Sequence, residues 1–176
     1  MKRREVIRLV LRDQEPRVLT ALVTELQLLV AAPPEADDPL ENWAMEATAA
    51  PVDHDDPVIT RLFPPAYSEP DLDAEYRRLT ETGLRRAKDA DARVVAGDIA
   101  AMGMAPFVAI PLDHVAPWLR TLNALRLALA MRLEVATADD AEALEKVGPD
   151  DPRADTVQVY HWLGYLLEML LSAAEV

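Results

Sequence analysis

Cysteine is missing altogether from these 176 residues. Disulfides, thiolate metal sites, cysteine nucleophiles and thiol redox switches are therefore excluded within the chain. Serine is nearly as scarce, and neither Ser68 nor Ser172 stands in the G-x-S-x-G turn that presents a nucleophile. There is no HExxH and no glycine-rich phosphate loop. No apolar run approaches the roughly 18 residues of a membrane span, and Met1 to Leu11 lacks the apolar core and cleavage site of a signal peptide. Positive charge is the minority sign: 18 Lys and Arg face 31 Asp and Glu, a formal charge of -13. Binding to a phosphate backbone or an anionic lipid surface rests on cations, so direct nucleic-acid binding and a membrane role are both disfavoured. A cytoplasmic protein is the expectation.

What is present favours helix. Half the chain is hydrophobic but only 5% is aromatic, and there are 14 Pro against 5 Gly. Much of the apolar share is Ala and Leu, the strongest helix formers. The length suits one domain. The expected fold is mainly α, a single-domain bundle over residues 1–176 of about four main helices, with a short N-terminal strand paired to an extended segment near 107–112.

The chain bears this out segment by segment. In EVIRLVLR, Ile7, Leu9 and Leu11 alternate with Arg8, Val10 and Arg12, the period of a half-buried strand. Asp13 is placed to cap a helix whose stripe is Val18, Leu19, Leu22, Val23, Leu26, Leu29 and Val30, ended by Pro33 and Pro34. Residues 31–56 form an acidic, proline-rich loop with at most a helical turn around Trp43 and Met45, two apolar residues that anchor it to the core. Asp56-Pro57 reads as a cap and first-turn proline for a short helix over Val58 to Phe63. Phe107 to Leu112 reads as a second, edge strand. Asp113 then caps a buried helix lined by Val115, Trp118, Leu119, Leu122, Leu125, Leu129 and Leu133. A second acidic connector, 136–151, holds a helical turn over Ala141 to Lys146. The last helix, from Asp155, has Val159, Leu163, Leu166 and Leu170 as its stripe.

The stretch from Asp71 to Ala101 organises the rest. Leu72, Tyr76, Leu79, Gly83, Ala87, Ala90 and Val94 recur at steps of three and four, which assigns them to the apolar face of one long helix. Arg77, Arg78, Arg85 and Arg86 fall elsewhere on it. Much of that charge can pair along the helix at i, i+4, and a solvated, self-paired face is the bland reading. The sharper reading makes the four arginines a partner-binding ridge for an acidic protein surface, since guanidinium forks bind carboxylates in pairs. The string Asp53, His54, Asp55 and Asp56 has oxygen and imidazole ligands but is contiguous, and no metal or cofactor site is assigned. Asn123 and Arg126 are polar where burial is expected. They read either as buried polar residues that fix helix register or, with His161 and nearby carboxylates, as a small-ligand or hydrolytic pocket.

Four segments, DPVITRLFPPAY (56–67), EYRRLTETGLRRAKDADARVV (75–95), IPLDHVAPWLRTLNALRLALAMRL (110–133) and YHWLGYLLEMLL (160–171), together resemble an actinobacterial domain-of-unknown-function family, number twenty-seventeen, which includes the oxidative-stress regulator AosR. The resemblance implies a non-enzymatic transcription-associated regulator acting in stress response by contacting a protein, a sigma factor or another part of the transcription machinery. It does not carry over thiol-based oxidant sensing, for want of cysteine. Two readings stand beside it: the ligand-binding or hydrolytic protein above, and a homodimeric interaction module joined through its last two helices.

Overall fold

The structure is a computed structural model and describes residues 6–33, 37–48 and 54–174, with the side chains of 42, 43 and 46–48 outside the description. Strand β1, Val6–Val10, opens the chain and helix α1, Glu15–Leu29, follows. Two short helices come next, α2 over Pro39–Thr48 and α3 over Pro57–Leu62, and then the 32-residue helix α4, Pro70–Ala101. Strand β2, Phe107–Pro111, leads through a 3-10 turn into α5, Val115–Arg132, and then come α6, Ala138–Leu144, and α7, Ala154–Ala174. The fold is mainly α, with α1, α4, α5 and α7 as its long helices.

β1 and β2 pair antiparallel, Val6 with Pro111 and Leu9 with Val108. The alternation in the sequence decides which face is covered: Leu9, Leu11, Val108 and Ile110 are buried while Arg8 and Val10 stand outside. This ribbon lies against α7 and α4. The centre of the molecule is α5, which packs on α7, α4, α3 and α1. Its Trp118 and Leu122 are fully enclosed, and Val115, Leu125 and Leu129 continue the line. Leu119, expected in that line, is only half-buried. From α1 the core takes Leu19, Val23, Leu26 and Val30, and from α7 Val157, Tyr160, Leu163, Leu166 and Leu170.

Helix ends depart from the sequence reading in instructive ways. Asp13 does not cap α1. It adopts φ 44°, in the left-handed region, and Gln14 takes the cap position with no side-chain bond. The Glu15 carboxylate instead accepts from the Arg12 amide at 2.7 Å. Asp113 lies in the 3-10 turn, and His114 holds the cap position of α5. Asp56 does cap α3, accepting from the Val58 amide at 2.8 Å. The stretch read as one loop, 31–56, contains the ten-residue helix α2, and Met45 is half-buried in it. The side chain of Trp43 lies outside the description. In the second acidic connector a capping box, Thr137 with Asp140, starts α6 three residues earlier than expected.

The largest correction concerns the facing of α4. Leu72, Tyr76 and Leu79, assigned to the core, are exposed, Leu79 by 67%. Gly83, Ala87 and Ala90 are exposed as well. The buried positions of this helix are Glu81, Arg85, Ala92, Val95 and Ile99. At 100° per residue the two sets lie on opposite sides, so the first half of α4 turns its charged side inward and its apolar side to solvent.

Candidate functional site

The inward side of α4 explains where the four arginines go. Arg85 is 4% exposed. Its Nε donates to Glu81 Oε1 at 2.9 Å, its Nη1 to the carbonyl of Leu29 at 3.0 Å, and the guanidinium lies 4.7 Å from the Phe63 ring centre. Leu29 is the last residue of α1, a helix with no basic residue in its final turn. Arg85 therefore supplies the donor and the positive charge that an orphan helix C-terminus requires. Arg86 donates to the next part of the same exit, the carbonyl of Pro33, at 2.9 Å. Arg77 is held by Asp73 at 2.7 Å and stands 3.9 Å from Glu81 Oε2, with His54 3.6 Å from the same oxygen. That Arg77 hydrogen bond is the main reason the Asp73 carboxyl lies below its usual pKa. Of the four, Arg78 alone is fully exposed, and Glu75 pairs with it at 2.7 Å. The four do not form one open ridge: Arg85 is a core residue and Arg86 a helix-end clamp.

A groove runs between α4 and α5. Leu84, Ala87, Lys88, Ala90 and Asp91 line one wall, Arg120, Thr121, Asn123, Ala124 and Leu127 the other, and Leu26 of α1 joins the lining of a space of about 510 Å³. Arg120 and Asp91 form a two-pronged bridge at 2.6 and 2.7 Å across it. Lys88 is different. Its ammonium faces the Phe63 ring at 5.5 Å, and burial pushes its pKa down, opposed by the Asp91 charge and reinforced by Arg120. Among the described residues no carboxylate lies within ion-pair distance of it, Asp91 being committed to Arg120. In the groove's floor Thr121, 2% exposed, has a hydroxyl without a hydrogen-bond partner among the described residues.

The polar residues read from the sequence separate. Asn123 is exposed and belongs to the groove, so it is not a buried polar residue. Arg126 is half-buried, its guanidinium stacked 4.8 Å from the Tyr160 ring and laid over Gly164, and its Nε is enclosed without a partner. His161 lines a different hollow, with Leu144, Gly148 and Ala154. The structure does not bring these three into one pocket. In the Asp53 to Asp56 string, Asp53 lies outside the described residues, His54 turns to Glu81 and Arg77, and Asp56 caps α3. No group of three potential metal ligands gathers among the described residues. No helix among them is long and apolar enough to cross a membrane.

One cluster went unread in the sequence. Asp98 of α4 accepts from Trp118 Nε1 and lies against His114 Nδ1, both at 2.9 Å. A carboxylate on one imidazole nitrogen is the arrangement that fixes a histidine tautomer. Here it ties the end of α4 to the start of α5. The spacing Asp98 to His114, across a strand, carries no motif that would have signalled it.

Compared with known proteins, residues 1–174 match the model of a family described as a domain of unknown function, DUF2017. No curated protein and no solved structure matches.

Proposed function

We propose that this chain, which belongs to the DUF2017 family, is a non-enzymatic regulatory protein that works by holding another protein in its α4–α5 groove. The observation that carries the reading is Lys88: a half-buried ammonium with no acid partner among the described residues, at a mainly apolar groove. A cation so placed is costly in the free molecule and is relieved by a carboxylate arriving with an apolar segment, the combination an amphipathic helix presents. Arg120 and Asn123 at the rim add donors, and Leu84 and Leu127 add apolar contact. The earlier reading of a four-arginine ridge gives way to this surface, with Arg78 left as its only fully exposed member.

The family resemblance extends the proposal to a cytoplasmic, transcription-associated role in stress response, with a sigma factor as the partner and actinobacteria as the setting. The test is capture of purified sigma factors by the intact protein, its Lys88→Glu and Leu127→Glu variants, and Arg78→Glu. We expect one sigma factor to be retained, both groove variants to weaken retention at least tenfold with helical circular dichroism unchanged, and Arg78→Glu to matter little. Retention that ignores the groove variants overturns the site, and no retained sigma factor overturns the partner.

A further inference from the structure

The outward side of α4 is unusual in what it lacks. From Leu72 to Gly97 the positions Leu72, Tyr76, Leu79, Gly83, Ala87, Ala90, Val94 and Gly97 follow one line down the helix, and none is charged. On the exterior of a chain with 49 charged side chains, 18 basic plus 31 acidic, such a line is not expected by composition. The line also divides by size. Its first three members are large and exposed, and the next three are Gly, Ala and Ala. A Cβ added at Gly83 would meet nothing within 4 Å, so no contact with the described residues calls for glycine there. Mid-helix glycine nonetheless costs about 0.5–1 kcal/mol relative to alanine.

We propose that this face binds a second copy of the chain, α4 against α4 and antiparallel. Reversing the helix sets large over small: Leu79 over Gly83, Tyr76 over the Arg86–Ala87 turn and Leu72 over Ala90, each repeated by the twofold axis. The same register has an electrostatic complement. Asp71 lies in the exposed first turn of α4, beside Glu69, whose side chain makes no cap bond. Both acids arrive beside the partner's Arg93, a side chain 72% exposed that among the described residues of its own chain bridges only to Asp89. The overlap from Glu69 to Arg93 is about 36 Å long, and with a strip ~10 Å wide it buries roughly 700 Å² across both copies, below the range of stable interfaces and in that of weak, transient ones. A micromolar dimer is the expectation. Ala87 and Ala90 also line the α4–α5 groove, so the pairing covers part of that wall and competes with an occupant of the groove.

Because the chain has no cysteine, a single introduced thiol reports position without background. Sedimentation of the full chain between 1 and 200 μM should show a monomer–dimer equilibrium. Thr82→Cys, next to the twofold axis, should crosslink through a short bis-maleimide, and Ser172→Cys on α7 should not. Leu79→Glu and Gly83→Glu should each raise the dimer dissociation constant at least 30-fold. Gly83→Glu should also raise the melting temperature of the monomer, since glutamate is the better helix former. A monomer throughout the range, a dimer unaffected by both variants, or crosslinking through Ser172→Cys alone overturns the proposal.

Discussion

Glu81 and Arg85, one turn apart on α4, form an ion pair at 2.9 Å with both side chains buried. The pair is supported by a carbonyl at the end of α1 and by the Phe63 ring, so three elements meet at one guanidinium. One Arg85 nitrogen, Nη2, still has no hydrogen-bond partner among the described residues.

Breaking the pair from one side leaves a buried charge uncompensated. Glu81→Ala should therefore destabilise the protein by about 3–5 kcal/mol, whereas the double replacement Glu81→Leu with Arg85→Met should cost much less. Urea unfolding of the three proteins measures both. A double variant as unstable as the single one would show that the Leu29 carbonyl, not the charge pair, dominates.

Legibility in the sequence followed the same divide. The α5 stripe from Val115 to Leu133, the α1 stripe and the strand alternation of Ile7, Leu9 and Leu11 were readable because apolar periodicity and burial agree there. On α4 they disagree. The period of Leu72, Tyr76 and Leu79 is real, yet the core side of that helix is decided by the carbonyls at the end of α1, which need donors that Arg85 and Arg86 supply. No local pattern records that need. The nearest clue was the absence of a basic residue in the last turn of α1. The groove was invisible for a related reason, because Lys88 gains its meaning only from the burial around it and from Asp91 being taken by Arg120.

At the end of α5, Glu134 adopts φ 59°, and the Val135 and Glu134 amides bond back to the carbonyls of Ala130 and Met131 at 2.8 and 3.2 Å. This is the left-handed helix stop that glycine favours. Glu134→Gly should stabilise the protein by roughly 0.5–1 kcal/mol, read as a higher melting temperature. A lower melting temperature would mean that the Glu134 side chain contributes more than its backbone strain removes.

Thr121 carries a buried hydroxyl, without a partner among the described residues, in the floor of the groove. Thr121→Val keeps the shape and removes the polar atom, and should raise stability by about 1 kcal/mol. Denaturant midpoints at constant slope decide it. No gain would indicate that water satisfies the hydroxyl in solution.

Asp140, Asp73 and Asp151 all have pKa values held below the ordinary aspartate range, chiefly by hydrogen bonds from Thr137, Arg77 and Arg153 respectively. For each, the folded value lies below the unfolded one, so the stabilisation is complete above the unfolded value of about 3.9 and is lost as pH falls through the folded value. Thermal melts from pH 7 to pH 2 should show stability falling mainly below pH 4. Asp140→Asn should flatten part of that fall, and an unchanged profile would exclude the α6 cap from it.

The pairing of β1 with β2 has a consequence for synthesis. Val6 meets Pro111, so the first strand leaves the ribosome roughly 100 residues before its mate and waits, at 5–20 residues per second, for on the order of 5–20 s. Throughout that interval the nascent chain displays an unmatched edge bearing Ile7, Leu9 and Leu11. This early-made strand is thus among the last to reach its final place, and the growing polypeptide is most open to chaperones and to misassembly before the second strand emerges.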